Sequence, residues 1–492
     1  MTIRTFKSGS CRGQTSLLPP RVEDYVDATN PVRAIDAYVG SLDLVALGFR
    51  HAGRQGGAGQ PPYDPADLLR LYLYGYINQV RSSRRLEREA RRNLELIWLL
   101  RELIPGYRTI ANFRTDNRSA LKAASRNFVL LARDLDLLGG ELVAIDGAFF
   151  HGDASKASIT TQSKLAERLA ALERDIEAYA SALEANDAAE AAQVPAPVDR
   201  DSAKEGAAEK LAALLAKRAR TEADLARLEE SGETQLSRTD PDARLLTKSG
   251  QTVAGYNVQL AVDARHKLIV AGEVVNDGND SGQLHAMALA AKAALGAEAL
   301  TALADVGYHN GETLRACEAD AITAYVPPAE RNRRLPAQGR FGRGDFHYDP
   351  DADVYRCPAG ERLRPMNGRK QDAAGKSQIR YVARSAACGA CSLRAGCLTE
   401  KAKLRTVYRW EHEAVIERHL ARMHQAGALM RRRSALAEHP FGTLKCRAGH
   451  RHFLLRGLDK VRGEWGLMAL GYNFTRVLNI FGIQGFIASL AR

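Results

Sequence analysis

The sequence predicts an α/β protein, with a mixed β-sheet core between helical regions. Three observations support this fold class: strand-like apolar segments recur, helical periodicity appears between them, and helical spacing dominates both ends of the chain. A chain of 492 residues with 45% hydrophobic content is long enough for about two to four domains. The strand-like segments are 142–145, 252–263, 267–276, 299–308 and 321–326, with helices predicted at 285–295 and 310–320.

The net charge and the hydropathy of the chain indicate which kind of partner it binds. The net charge is +12, which favours a polyanion, because Lys and Arg displace counterions from phosphates. No apolar run approaches the roughly 20 residues of a membrane-spanning helix. Residues 1–20 contain no apolar signal region. We therefore expect a soluble, intracellular protein with no membrane partner.

Residues 1–138 predict a helical N-terminal domain with a basic face. Asp64 and Pro65 form a helix start, and apolar residues then follow at helical spacing. The segment 81–101 contains seven arginines against three glutamates. This pattern favours a DNA-binding unit of the helix-turn-helix kind. The alternative is a solvated arginine face on a structural bundle. The candidate DNA-binding residues on this segment are Arg84, Arg85 and Arg88.

Residues 160–231 interrupt the core with two helical segments. The first carries apolar residues at alternating spacings of four and three, as in a heptad seam. Prolines at 195 and 197 in the linker cannot continue a helix. An inserted antiparallel hairpin is the simpler interpretation, because each helix finds its partner in the same chain. Dimerisation through the hairpin is the alternative.

Three carboxylates are candidate ligands for a metal ion. Asp146 and Asp305 each follow an apolar strand-like segment, and adjacent strands would bring such carboxylates together. Their repulsion would raise a pKa unless a hard cation such as Mg²⁺ or Mn²⁺ neutralised it. Glu438, on a predicted helix near Pro440, is the third candidate. Alternatively, each aspartate forms a turn and Glu438 is ion-paired at the surface.

A cysteine-bearing segment at 329–405 precedes the last helical region. Four of the seven cysteines lie here, and the Cys-x2-Cys spacing of two of them suits half of a tetrahedral zinc site. The alternative is four reduced thiols in a small β subdomain. The candidate ligands are Cys357, Cys388, Cys391 and Cys397.

Three of these segments resemble a known family. The segments AIDGAFF, ADVGYHN and AEHPFGTLK resemble the acidic motifs of bacterial insertion-sequence DDE transposases, and most of all the eleven-eighty-two insertion-sequence family. The segment RHFLLRGLDKVRGEWGLMALGYNFTRV also fits that family. YDPADLLRLYLYGY and TIANFR resemble the InsH-type transposase N-terminal domain. The resemblance covers nearly the whole chain.

The resemblance implies a ribonuclease-H-like core. Residues 139–328 would form its first part, with the hairpin 160–231 and the cysteine-rich segment 329–405 as insertions. Residues 406–492 would form its C-terminal helical part and carry the catalytic glutamate. Asp146, Asp305 and Glu438 would hold two Mg²⁺ or Mn²⁺ ions.

The resemblance also implies roles for basic residues. Related transposases have a tyrosine and an arginine before the glutamate, and a lysine separated from it by six residues. Lys445 has that spacing and would bind terminal phosphates. Ser434 occupies the arginine position, with Arg433 one residue away, and Arg431 occupies the tyrosine position.

The implied function is DNA transposition. The enzyme would bind the terminal inverted repeats of its element, cut the DNA and join the ends to target DNA. It would act as a homodimer on DNA in the bacterial cytoplasm, at the nucleoid. One alternative is a metal-dependent nuclease on the same core. Another is a transposase-derived DNA-binding regulator without catalysis.

Overall fold

The computed structural model describes residues 21–53, 61–191, 200–248, 250–328, 339–372 and 375–491. They form two compact units. The first unit combines the described part of Met1–Leu137 with Thr443–His450 and Asp459–Arg492. The second combines Leu138–Gly442 with Arg451–Leu458. The predicted prolines of the hairpin linker and Cys11 lie outside the described residues.

The first unit is helical, which confirms the predicted N-terminal helical region. Asn30 and Asp64 cap its first two helices, because each side chain accepts a backbone N–H two residues on, and a proline follows each cap. With labels in chain order along the whole protein, its helices are α1 (Pro31–Gly40), α2 (Pro65–Ile77), α3 (Ser83–Arg92), α4 (Leu94–Leu99), α5 (Tyr107–Asp116), α6 (Arg118–Asp134), α15 (Leu458–Phe481) and α16 (Ile483–Leu490).

Aromatic packing joins the C-terminal helices to the N-terminal ones. The ring centroids of Tyr38 and Phe128 lie 5.1 Å apart in an edge-to-face arrangement. The ring centroid of Phe474 lies 5.5 Å from those of Phe128 and Phe486. A Cβ at Gly463 would lie 2.7 Å from the backbone of Arg118, so a glycine is needed where α15 crosses α6. The predicted boundary at 406–492 therefore differs from the structure, which places residues 459–491 with the N-terminal helices.

A buried carboxylate also holds this unit together. Glu464 is fully buried, and Oε1 lies 3.7 Å from Nη1 of both Arg81 and Arg114. The Tyr76 hydroxyl donates a hydrogen bond to the same oxygen at 3.3 Å. Arg81, part of the predicted basic segment, is buried here beside Glu464, so it belongs to the core of the unit.

The second unit is built on a mixed six-stranded sheet, which confirms the α/β class. Its path runs β4–β5–β1–β7–β8, and β6 pairs with β5. β1 is antiparallel to β5 and parallel to β7, and β8 is parallel to β7. The strands are β1 (Leu142–His151), β4 (Arg244–Lys248), β5 (Gln251–Asp263), β6 (Ile269–Val275), β7 (Leu300–Leu303) and β8 (Ile322–Tyr325).

β1 is longer than the sequence predicted. The apolar residues 142–145 suggested a strand ending at Asp146, but β1 continues to His151 because β5 pairs with it along that whole length. The parallel pairing with β7 covers only Leu142 to Ala144. Asp146 therefore lies beyond the end of the β1–β7 pairing but inside the β1–β5 pairing.

Helices and small sheets complete the second unit. The predicted insertion is a pair of long contacting helices, α7 and α8, whose buried residues include Leu165, Leu172 and Leu228. The short strands β2 (Ile159–Thr161) and β3 (Gln235–Ser237) pair at its base. The helices are α7 (Gln162–Ala191), α8 (Arg200–Ser231), α9 (Leu284–Leu295), α10 (Gly311–Ala319), α11 (Ser385–Gly389), α12 (Arg394–Cys397), α13 (Glu413–His424) and α14 (Gly427–Gly442).

The cysteine-rich segment forms a five-stranded antiparallel sheet with its own core. Tyr355 and Tyr381 are buried, and their rings lie 5.1 Å apart edge to face. The strands are β9 (His347–Asp349), β10 (Val354–Arg356), β11 (Arg362–Gln371), β12 (Ser377–Val382) and β13 (Thr406–Trp410). Among the described residues, no helix is long and apolar enough to cross a membrane.

Candidate active site

Asp146 and Asp305 lie near each other at one end of the β1–β7 pairing. The pairing ends with Ala144 opposite Leu303, so each aspartate follows two residues later on its own chain segment. The Asp305 side chain caps the 3₁₀ turn Val306–Tyr308 by accepting the backbone N–H of Gly307 at 2.8 Å. Asp305 is therefore the turn former that the sequence allowed, and it also stands beside Asp146.

The surroundings of Asp146 change the pKa of its carboxyl group. Burial raises the pKa of the Asp146 carboxyl, against the hydrogen bond that the backbone N–H of Gly147 donates at 2.8 Å. The negative charge of Asp305 raises this pKa further, while Arg433 and Lys248 lower it. Two carboxylates that repel each other in this way are a reason to place a cation between them.

The helix that carries Glu438 packs against β1. Leu436 and Ala437 of α14 are buried against Ala144, two residues before Asp146. One turn earlier on α14, Nη1 of Arg433 lies 3.8 Å from Oδ2 of Asp146. The helix therefore brings a guanidinium to the first aspartate.

Glu438 itself is exposed on α14. The hydroxyl of Ser434, the residue at the family's arginine position, donates to Oε1 of Glu438 at 2.5 Å. The spacing of seven between Glu438 and Lys445 predicts that both lie on one face of a helix that begins or kinks near Pro440. The structure differs, because α14 continues through Pro440 to Gly442 and Lys445 lies in a separate π-helical turn, Thr443–Arg447.

The donor chemistry suits a hard divalent cation, but the ligand set is not assembled. Asp146 and Asp305 offer oxygen ligands of the kind that Mg²⁺ and Mn²⁺ prefer. Among the described residues, however, no group of three or more His, Cys, Asp or Glu side chains is arranged to hold a metal ion. Asp146 and Asp305 interact electrostatically, while no contact joins Glu438 to either of them among the interactions found in the described residues.

A layer of buried polar side chains, formed by Asp280, Asn257 and Gln259, lies near the aspartates and was not predicted from the sequence. Asp280, in the loop before α9, is buried and accepts hydrogen bonds from Asn257 at 2.8 Å and Gln259 at 2.7 Å. Asn257 and Gln259 alternate on β5, so both point to the same face. Polar residues at alternate positions of an otherwise apolar strand were the signal that could have revealed this layer.

The predicted basic face lies in the first unit. Arg84, Arg85 and Arg88 are all exposed on α3. The guanidinium of Arg84 lies 5.3 Å from the ring centroid of Tyr107, at the start of α5. Oε2 of Glu87 accepts the backbone N–H of Tyr107 at 3.2 Å and so fixes the start of α5 against α3. The arginines thus lie on a surface braced by a second helix.

The four cysteines of the insertion line one cavity of about 280 Å³. Burial raises the pKa of the Cys397 thiol, and the neighbouring thiols are close enough to affect it. Cys357, Cys388 and Cys397 also pack against the aromatic core of the five-stranded sheet. The segment therefore has a small apolar core of its own beside the four thiols.

Two family models match the chain. One, described as a transposase DDE domain, matches residues 356–478 and includes Glu438 and the four cysteines. The other, described as a transposase domain (DUF772), matches residues 20–116. Both matches support a DDE transposase of a bacterial insertion sequence, as the resemblance of the motifs predicted. The eleven-eighty-two family stays a prediction.

The piggyBac transposase synaptic complex with hairpin DNA, solved by electron cryomicroscopy, shares 8% identity with this chain, covering 94% of this chain and 80% of its own, with a TM-score of 0.30. A likeness of that size carries no argument about fold. No curated protein matched the sequence.

Proposed function

We propose that this transposase binds the terminal inverted repeats of an insertion sequence, cuts the DNA at its ends and joins them to a target. The observation that carries the proposal is the proximity of Asp146 and Asp305 beside a helix bearing Glu438. The strand order β6–β5–β1–β7–β8, with β1 between an antiparallel and a parallel neighbour, supports the predicted ribonuclease-H-like core.

In this proposal Asp146 and Asp305 hold the cations, and Glu438 completes the ligand set. Two bound divalent ions supply Lewis-acid activation of the attacking oxygen and stabilisation of the leaving oxygen. The Glu438 side chain is exposed on α14, directly after the buried Ala437, and in this proposal its carboxylate turns toward Asp146 when the cations bind. Arg433 already lies at Asp146 and would turn to a phosphate oxygen once a cation neutralised the carboxylate.

The exposed arginines of α3 would bind the DNA backbone. Arg84, Arg85 and Arg88 supply positive charge on a helix fixed by Glu87 and Tyr107, as phosphate contacts require. Lys445 would bind a terminal phosphate, as its spacing from Glu438 predicts. We expect a homodimer on paired DNA ends, acting in the bacterial cytoplasm on the nucleoid. Structural zinc on Cys357, Cys388, Cys391 and Cys397 remains a further proposal.

The test replaces the second aspartate. Asp305→Asn removes the charge but keeps an oxygen that can cap the turn at Gly307, so the fold is retained. We expect this variant to bind end DNA as the wild type does and to lose cutting in Mg²⁺ or Mn²⁺. Mobility-shift and strand-cleavage assays measure the two separately. The control is Asp351→Asn, an exposed acid of the same unit.

The outcomes are distinct. Undiminished cutting by Asp305→Asn removes this residue from the site. Cutting without joining, in a strand-transfer assay on the wild type, favours the nuclease alternative. Tight binding with no metal-dependent cutting by the wild type favours the regulator alternative.

A further inference from the structure

A lysine stands at the mouth of the candidate site, outside the three acidic motifs. Lys248 ends β4, and its side chain is 46% exposed. Its Nζ lies 3.4 Å from Oδ2 of Asp280 and 3.5 Å from the carbonyl oxygen of Gly147. Gly147 follows Asp146 directly, so the ammonium lies next to the first aspartate.

The Asp280 carboxylate, which accepts a hydrogen bond from Lys248, is held in place by two further hydrogen bonds. The Asp280 carboxylate accepts the side-chain amides of Asn257 and Gln259 on Oδ1, which leaves Oδ2 for Lys248. Asn257 and Gln259 are fully buried on β5. Because both amides donate to the carboxylate, they hold it as an acceptor in one orientation.

The same layer reaches the second aspartate. Gln259 accepts a hydrogen bond from the Tyr308 hydroxyl, and Tyr308 is buried in the turn that Asp305 caps. A Cβ at Gly307 in that turn would lie 3.0 Å from Oδ1 of Asp305 and 3.6 Å from Oδ2 of Asp280. Asp280 therefore lies beside both acidic segments, and it holds Lys248 at a defined place relative to them.

We propose that Lys248 binds a non-bridging phosphate oxygen of the DNA strand at this site and that Asp280 is the residue that positions it. An ammonium has three N–H donors. Two of them are directed to Asp280 and Gly147, and the exposed fraction of the side chain leaves the third for a phosphate. This inference rests on the proposed function, since it assumes that DNA enters the site.

The experiment uses the full-length chain and duplexes from the DNA that flanks its coding region. Lys248→Met removes the charge at similar length, Lys248→Arg keeps it, and Asp280→Asn keeps the shape of the positioning residue. Lys156→Met, at an exposed lysine of the same unit, is the matched control. Binding is measured over a series of salt concentrations, and single-turnover cleavage is measured at saturating protein. Circular dichroism checks that each variant folds.

For Lys248→Met we expect the slope of log K against log salt to fall by about 0.9, as for one lost phosphate contact. Cleavage is expected to slow by roughly 10- to 100-fold, because the strand is misplaced. Lys248→Arg should keep the slope. Asp280→Asn should keep most of the slope but cleave more slowly, since the ammonium remains but is not held.

If Lys248→Met showed the same salt slope and the same cleavage rate as the wild type, the inference would be overturned. The proposed function would stand, because it depends on cleavage by the wild-type protein. If the wild type binds the duplexes but does not cut, the proposed function falls, and the salt slope still decides whether Lys248 contacts phosphate. If the wild type does not bind them, both fall.

Discussion

Gly147 is the residue for which the structure gives the clearest estimate of the cost of a substitution. A Cβ at this position would lie 2.3 Å from Nε2 of Gln259 and 2.6 Å from Oδ1 of Asp280. Ordinary contact begins at 3.4 Å, so the neighbouring groups would have to move by about 1 Å. Gly147 and Gln259 are register partners on β1 and β5, and the intervening sheet pairing restricts such a movement.

Gly147→Ala should therefore cost about 1–3 kcal/mol of unfolding free energy, the usual range for an overpacked core. A displacement of about 1 Å at a catalytic group slows reactions by up to about 100-fold. Because the displaced groups adjoin Asp146, we expect cleavage to fall roughly 10- to 100-fold, or about 1.4–2.8 kcal/mol of activation free energy. Binding of end DNA should change little, since the exposed arginines are untouched.

Thermal unfolding and single-turnover cleavage of Gly147→Ala measure these two effects. The control is Gly282→Ala, two residues after Asp280, where an added Cβ would meet no atom within 4 Å. A Gly147→Ala protein that melts and cleaves as the wild type does would refute the reasoning. The close approach of the buried layer to β1 would then be absent in solution.

Two further predictions concern the rest of the chain. Glu464→Ala leaves two buried guanidiniums without a counter-charge and should lower the free energy of unfolding in urea by about 3–5 kcal/mol. The control Glu89→Ala breaks an ion pair at the surface and should change this free energy little. Equal unfolding midpoints for the two variants would contradict the prediction. If the thiols of the insertion bind zinc, the purified protein should contain about one zinc that Cys388→Ser loses and Cys446→Ser, at an exposed cysteine, keeps. Zinc-free wild-type protein would end the zinc proposal.

The sequence by itself determined the α/β class, the helical N-terminal region, the inserted pair of long helices and the transposase motifs. Periodicity and capping residues act over a few neighbours, so the helix start at Asp64 and the heptad seam near Leu165 could be predicted locally.

The tertiary structure decided which of these residues meet. It extended β1 past Asp146 through its pairing with β5, and it placed α15 with the N-terminal helices through Phe474 and Glu464. It also revealed Asp280 and Lys248, which lie far from any acidic motif in the chain. Strand register and packing between distant segments bring such residues together, and no local pattern records a contact between positions that far apart.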